Sequence, residues 1–429
     1  MTHEDTKVTA PRCPFDRGSI GEAFDPLAGP QSEELHAVLR AARAEFPVFF
    51  SPALNLWVVT RYDDMLTVVN DRDRFTSNGV LDAIAEFPPE VEAILAEGVP
   101  HDTAVLTSVE GQTLERLRSS VSRALTPKSV AALEPRMREI ADRYIDGFID
   151  DGQVDIFREL AYPLPLRVIL DYLGIPEADE PQIAHWAADW MELQFSMPSK
   201  ARQLECARSI VAHHRYLRTF IAERRARPRD DFTSRLIAAI DAGEAEISDD
   251  ELVLLLGITF TGAAHESMSS AISAILLQLL RDRKWWEEAC ADPSLVPDIV
   301  EEVLRFDGPG GFFREVVDDT ELGGVTIPRG ARVMFYPPSV NRDETRFEDP
   351  DRFDPHRRDK SRHLSFSHGP HFCLGASFAR AELRVVTAAL VERIPSLRLP
   401  EQDFVYFPSV PMRRLDRLMV EWDVASPIA

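Results

Sequence analysis

Apolar residues recur at helical spacing along most of this chain. Residues 32–45 show that spacing, and Pro47 ends the predicted helix. Residues 48–50 and 56–60 are short apolar runs on either side of a turn that contains proline and asparagine, which predicts a β-hairpin. From about residue 115 to 305 the helical pattern dominates, and we expect proline-containing loops to interrupt it at 163–166 and 225–231.

The pattern changes beyond residue 315. Residues 315–340 read as short strands separated by glycine turns, and residues 341–372 form a long aperiodic stretch of the kind that is usually functional. A helix at about 375–393 and a β-rich tail follow. We therefore expect the α+β class, mainly helical with small β-sheets, with a flexible N-terminal segment at 1–30 and a single domain at 31–429.

Composition narrows the possible partners. Hydrophobic residues make up 45% and charged residues 28%, as in ordinary globular proteins. The formal net charge of -23 argues against binding to nucleic acid or to an anionic membrane. The N-terminus is polar, and no run of 18 apolar residues occurs. We expect a cytoplasmic monomer that does not bind a membrane.

One of the four cysteines stands in an unusual setting. Cys373 lies in the segment FSHGPHFCLG, directly before a strongly helical run. Backbone N–H groups at a helix start favour a thiolate, which is a metal ligand. Gly369 and Gly375 allow close approaches that a side chain would block, and Phe366 could shield the sulfur from water. Spacing alone also permits a zinc cluster made by this cysteine with His363, His368 and His371.

Two further patterns carry chemistry. Glu302 and Arg305 are three residues apart on a predicted helix, so a carboxylate and a guanidinium can pair on one face. Within the apolar helix at 252–280, the stretch Ala263-Ala264-His265-Glu266-Ser267 introduces polar groups. Such groups cost free energy in an apolar setting unless they are partnered, which favours a functional role.

Together these segments identify the chain as similar to the cytochrome P450 family. Residues 366–375 resemble the family's haem-binding signature FxxGxHxCxG, residues 302–305 its ExxR pair, and residues 350–353 its meander motif. The resemblance runs from the hairpin near Trp57 to the tail, and is nearest to haem domains of bacterial P450s that are fused to a reductase. It implies the P450 fold, with haem b (iron protoporphyrin IX) between an oxygen-activating helix and the loop of Cys373, the axial iron ligand. Zinc would leave the other motifs unexplained.

The resemblance also implies roles for individual residues. Glu266 and Ser267 would be the acid–alcohol pair that relays protons, with Ser267 in place of the usual threonine and Ala264 in place of glycine. Leu114 replaces a frequent histidine that contacts a propionate. The implied charge network behind the haem comprises Glu302, Arg305 and Arg352. The implied cofactor contacts are Arg118, Arg314 and His371 at the propionates, with Phe366, Gly369, Gly375 and Ala263.

By the same resemblance the chain is a monooxygenase that inserts one atom of O2, its co-substrate, into a hydrophobic or aromatic small molecule. The implied substrate pocket comprises Leu81, Ile84, Phe260, Phe312, Phe313, Val410 and Met412. Because no reductase is expected in the chain, electrons from NAD(P)H would arrive through a separate ferredoxin or flavodoxin-type donor with its reductase. That donor would dock near Arg116, Arg123 and Lys128. A haem-thiolate carrier or sensor and a peroxide-driven enzyme remain as other functions.

Overall fold

The computed structural model describes residues 20–27, 33–100 and 103–424, so most of the predicted flexible segment at 1–30 lies outside the described residues. The helices are α1 (Ile20–Ala23), α2 (Glu33–Glu45), α3 (Tyr62–Asn70), α4 (Pro89–Ala96), α5 (Gly111–Ser122), α6 (Pro127–Ala131), α7 (Glu134–Asp146), α8 (Pro163–Leu173), α9 (Glu180–Phe195), α10 (Lys200–Ala226), α11 (Phe232–Asp241), α12 (Asp249–Leu254), α13 (His265–Arg281), α14 (Arg283–Ala291), α15 (Val296–Asp307), α16 (Pro337–Val340) and α17 (Ala376–Arg393). There are also two π-helical segments: Phe157–Ala161 directly precedes α8, and Leu255–Ala264 joins α12 to α13.

The strands are short: β1 (Val48–Ser51), β2 (Leu56–Val59), β3 (Phe75–Thr76), β4 (Gln153–Asp155), β5 (Phe312–Val316), β6 (Thr320–Leu322), β7 (Val325–Ile327), β8 (Arg332–Phe335) and β9 (Met419–Glu421). The largest sheet has the order β1-β2-β8-β5-β3, and β4-β9 and β6-β7 form two-stranded sheets. In the largest sheet β2 and β8 are parallel, whereas the other three pairs are antiparallel. This sheet joins the N-terminal hairpin to the segment that follows α15.

Several local predictions agree with the structure. The helix predicted at 32–45 is α2, the hairpin is β1 and β2 with Val48 opposite Val59, and the helix predicted at 375–393 is α17. The loop predicted at 225–231 separates α10 from α11.

The loop predicted at 163–166 is wrong. Residues Pro163 and Pro165 lie in the first turn of α8. The first N–H groups of a helix have no partner within the helix, so proline is tolerated at that end.

The interior is organised around one long helical stretch made of α12, the π-helical segment Leu255–Ala264 and α13. Among the described residues, Asp249–Arg281 is the one helical stretch long and apolar enough to cross a membrane, and 78% of its most apolar window is buried inside the protein. It packs in the largest hydrophobic core with α8, α15 and α17. A second core joins β1, β2, β5 and β8 to the ends of α9 and α10.

Candidate active site

The loop before α17 presents the Cys373 thiol through a defined backbone. The Cys373 N–H donates to the Phe366 carbonyl oxygen at 2.9 Å, which closes the loop on itself. Ser367 and Gly369 both have positive φ, at 61° and 69°. A Cβ on Gly369 would lie 2.8 Å from the Asn70 Oδ1 atom, so only glycine fits that position. The predicted roles of the glycine and of the loop therefore have a steric basis.

Cys373 is an exposed residue, although protein surrounds its thiol. Burial raises the pKa of its thiol, while the Gly375 N–H, Arg118 and Arg380 lower it. Phe366 is buried beside this loop, and the Arg380 guanidinium lies 4.5 Å from the centre of its ring. A sulfur that is enclosed yet reachable, with N–H and cationic groups near it, suits a thiolate that ligates a metal inside the fold.

Two arginines near this loop are suited to carboxylates that the protein itself does not supply. Arg314 is 5% exposed, its guanidinium donates to the neighbouring Phe313 carbonyl, and burial lowers its pKa to about 10. Arg118 donates to the Phe372 carbonyl at 2.9 Å, and burial lowers its pKa too. Within the described ranges neither has an ion-pair partner. A buried cation needs a counter-charge, so these side chains fit the two propionates of a haem held by Cys373.

His371, the third predicted propionate contact, is engaged by the protein. Its Nε2 atom lies 3.1 Å from the Ser77 hydroxyl oxygen and 3.4 Å from a Glu110 carboxylate oxygen. Desolvation opposes ionisation of Glu110, but hydrogen bonds from His371 and Ser77 prevail and lower its pKa to about 2. Leu114 is buried in the largest core. Of the three predicted propionate contacts, His371 is therefore already paired with a carboxylate, whereas Arg118 and Arg314 have no ion-pair partner in the described ranges.

The ExxR pair forms as predicted, but its third member is a different arginine. Arg305 donates to both Glu302 oxygens, at 2.7 and 2.8 Å, and both side chains are fully buried. Arg357, not Arg352, completes the network, because its Nε donates to Glu302 at 3.0 Å. The Arg352 side chain is 65% exposed and pairs with Asp354 at 3.4 Å. Arg352 contributes its backbone carbonyl, which accepts from Arg305.

A stripe of accessible residues marks one side of the central helix, which is the continuous helical stretch Asp249–Arg281. Between residues 251 and 280 every residue is buried except Thr259, Ala263, Ala264 and Ser267. Positions 259, 263 and 267 follow one another at intervals of four, so they share a face. The Ser267 hydroxyl donates back to the Ala263 carbonyl at 2.9 Å, as serine commonly does within a helix.

Glu266 points away from that stripe into a buried ion pair. It is 2% exposed, and one carboxylate oxygen accepts from the Arg414 guanidinium at 2.9 Å. The Tyr162 hydroxyl donates to the other oxygen at 3.2 Å. Burial and the charge of Glu266 raise the pKa of Tyr162, so the phenol stays a donor. The predicted acid and alcohol are thus adjacent in the chain but bonded to different groups.

Most of the predicted pocket residues meet in the second core. Those that line or pack against it are Leu81, Ile84, Phe313, Val410 and Met412. Phe312 lies on the opposite face of β5, where its ring stacks on Phe335 at 5.5 Å. The prediction for Phe260 is wrong, because its ring packs against Phe232 at 5.1 Å, inside the largest core. Thr259, one residue earlier, lies on the accessible stripe instead.

The structure places four candidate site residues that the sequence analysis missed: Thr259, Trp190, Arg357 and Arg414. The Thr259 hydroxyl has no partner in the described structure. The Trp190 ring would lie 3.0 Å from a Cβ on Gly262, so that glycine makes room for it beside the accessible stripe. A threonine in an apolar helix was a usable signal for Thr259. Arg414 and Trp190 gave no local signal, because their partners lie far away in the chain.

The zinc interpretation finds no support. Among the described residues, one group of three potential metal ligands lies close together: Asp189, Glu192 and Cys206. Arg202 already forms ion pairs with both of these carboxylates. His363 pairs with Glu301 instead.

The three basic residues predicted to receive an electron donor differ in whether the protein already pairs them with a carboxylate. Arg116 pairs with the buried Glu251 and is not free to receive a partner. Arg123 and Lys128 are exposed. In the described part of the chain neither forms an ion pair, so these two remain available.

Comparison with known proteins agrees with this geometry. The family model described as Cytochrome P450 matches residues 287–404. The vitamin D(3) 25-hydroxylase of Pseudonocardia autotrophica is 33% identical over 405 residues, covering 93% of this chain and 96% of its own. An intact type IV self-sufficient cytochrome P450 monooxygenase superposes with a TM-score of 0.88 at 33% identity, over 94% of this chain and 53% of that one. The P450 heme domain of Tepidiphilus thermophilus also superposes with a TM-score of 0.88. It is 31% identical, and the match covers 95% of this chain and 98% of that one. The fold predicted from sequence is confirmed.

Proposed function

We propose, on the premise that this chain belongs to the cytochrome P450 family of haem-thiolate monooxygenases, that it inserts one oxygen atom from O2 into a hydrophobic or aromatic small molecule with electrons from a separate donor. The observation that carries the proposal is the enclosed Cys373 thiol together with Arg118 and Arg314, two partly or fully buried cations without ion-pair partners in the described chain. This arrangement suits a haem that is held at its iron and at its propionates.

Haem b, when bound to Cys373, would supply the oxygen chemistry, and the thiolate would donate electron density that favours O–O cleavage. The chain's own residues bind, orient and deliver protons. Glu266 provides a carboxyl in a buried setting, and Ser267 places a hydroxyl on the accessible stripe. We assign proton delivery to this pair because proton transfer needs groups of both kinds within reach of the reacting atoms.

The substrate class rests on the apolar character of the second core. Leu81, Ile84, Phe313, Val410 and Met412 offer apolar side chains, and the Phe195 ring stacks against Phe313 at 6.2 Å. Thr259 adds a hydroxyl that could orient one polar group of a substrate. The relative named as a vitamin D(3) 25-hydroxylase acts on a molecule of that apolar class, which supports the proposal.

For the electron donor, we propose a ferredoxin or flavodoxin-type protein that receives electrons from NAD(P)H through its reductase. Arg123 and Lys128 offer exposed positive charge on a chain of net charge -23, and this charge would suit an acidic docking face on the donor. Replacing both Arg123 and Lys128 with glutamate should raise the donor concentration needed for half-maximal turnover, without changing substrate binding.

We further propose that the enzyme is a cytoplasmic monomer.

The first test is the absorbance spectrum of the haem-supplied, reduced protein with carbon monoxide. A long-wavelength Soret band is expected for thiolate ligation, and Cys373→His should move it to the position typical of imidazole ligation. Absence of haem absorbance in haem-supplied protein would contradict the proposal.

Turnover then separates the three functions. An oxygenase forms product with O2 and a surrogate ferredoxin system. A carrier or sensor would show substrate-induced spectral shifts with no product, and a peroxide-driven enzyme would form product with hydrogen peroxide alone.

A further inference from the structure

The C-terminal segment 410–414 joins the substrate wall to the buried acid. Val410 and Met412 belong to or pack against the second core, and Arg414, two residues later, forms the ion pair with Glu266. The pair spans 148 residues of sequence, and its side chains are 7% and 3% exposed. An ion pair this well buried fixes both side chains in one geometry.

Arg414 has few alternative partners. Its guanidinium lies 4.2 Å from the centre of the Phe407 ring, 5.2 Å from that of Tyr162 and 5.4 Å from that of Phe157. Its Nε atom is buried and has no hydrogen-bond partner in the described structure. Aromatic rings attract a cation but offer no carboxylate. The orientation of Arg414 is therefore set by Glu266 and by the backbone that carries it.

That backbone is anchored on both sides of the substrate-facing residues. The Gly311 N–H donates to the Pro411 carbonyl at 2.5 Å, and the Ser270 hydroxyl donates to the Arg413 carbonyl at 2.5 Å. The Arg413 side chain pairs with the buried Asp307 at 2.8 Å. The position of Arg414 is thereby tied to the same short segment that contributes Val410 and Met412.

We propose that Arg414 is a positioning residue for Glu266: it holds this buried carboxyl in the orientation used for proton exchange, and it links that orientation to the substrate wall formed by Val410 and Met412. The inference rests on the proposed monooxygenase function. During turnover Glu266 takes up a proton from water and releases it toward the Ser267 hydroxyl, so that the carboxylate is regenerated. No covalent bond to Arg414 is made or broken.

The test compares Arg414→Gln and Arg414→Lys with Arg417→Gln; Arg417 is an exposed arginine three residues further along the chain and serves as the matched control. We expect Arg414→Gln to lower the product formed per electron pair by about tenfold, with a matching rise in peroxide. Arg414→Lys keeps the charge and should restore part of the coupling. Arg417→Gln should behave as the wild type.

A double variant separates positioning from a merely structural role. If Arg414 acts through Glu266, then Arg414→Gln added to Glu266→Gln causes no further loss of coupling. Equal, additive losses in the two backgrounds would overturn the inference. Wild-type protein that forms no product with any electron donor would instead contradict the proposed function, whatever the variants do.

Infrared difference spectroscopy gives a readout that does not depend on turnover. Removing the guanidinium leaves a buried carboxylate without a counter-charge, so Glu266 should take up a proton. Arg414→Gln should show a protonated-carboxyl band at neutral pH that disappears when Glu266→Gln is added. The charged and titratable groups that interact with Glu266 are Arg414, Tyr162 and His265. None of these three has a carboxyl group, so none contributes a protonated-carboxyl band. Absence of the band in Arg414→Gln would contradict the inference.

Discussion

Arg357→Ala should destabilise the protein far more than Arg352→Ala does. Arg357 is 8% exposed, and its guanidinium donates to Glu302 and to the carbonyls of Glu348, Asp349 and Arg352, each at 3.0 Å. A hydrogen bond to a charged group contributes about 1.5–3 kcal/mol. Breaking a buried ion pair costs about 3–5 kcal/mol, and because Arg305 still neutralises Glu302 we expect the lower end, about 3 kcal/mol.

Arg352→Ala is the matched control, since it keeps the backbone carbonyl that accepts from Arg305 and Arg357. Its exposed pair with Asp354 contributes about 0–1 kcal/mol. The assay is urea unfolding of the haem-loaded protein, followed by circular dichroism and by Soret absorbance at equal haem occupancy. The reasoning fails if Arg352→Ala lowers the unfolding midpoint as much as Arg357→Ala does.

Three further predictions concern the central helix and α17. Ser267→Thr should raise the product-to-peroxide ratio, because the methyl group restrains the hydroxyl that now bonds back to Ala263; an unchanged ratio would count against this. Thr259→Leu should change the substrate dissociation constant measured by the spectral shift, whereas Phe260→Leu should leave it unchanged while costing about 1–3 kcal/mol of stability. Burial raises the pKa of Glu382 to about 8 from 4.5, so stability should fall as pH rises from 4.5 through 8, by up to a few kcal/mol. Urea midpoints across that range should decline less in Glu382→Gln, and equal declines would refute the assignment.

Local sequence patterns predicted the parts of the site that are themselves local. The loop of Cys373 and the Glu302–Arg305 pair each lie within ten residues of chain, so their geometry follows from short-range backbone constraints. The pair is also enforced by helical spacing, since residues three apart share a face.

The errors arise where spacing stops being regular. Phe260 lies in the π-helical segment Leu255–Ala264, in which wider turns change which residue faces which side. The aperiodic stretch at 341–372 has no regular spacing, so the place of Arg357 in the charge network depended on packing that sequence does not display. Arg414 shows a third reason why sequence falls short: no local pattern near residue 414 indicates that its partner is the carboxylate of Glu266.

The buried charges divide into two groups with different consequences. Glu302, Glu266 and Asp307 each have an arginine partner within the chain, at 2.7 to 2.9 Å, so their charges are balanced before any ligand binds. Arg314 and Arg118 have no such partner in the described ranges, and burial lowers the pKa of both. Unbalanced cations in the interior favour an anionic ligand, whereas balanced pairs favour a fixed fold. Haem binding should therefore stabilise this chain through Arg314 and Arg118 as well as through Cys373, and substituting either arginine should weaken haem retention more than it weakens the fold.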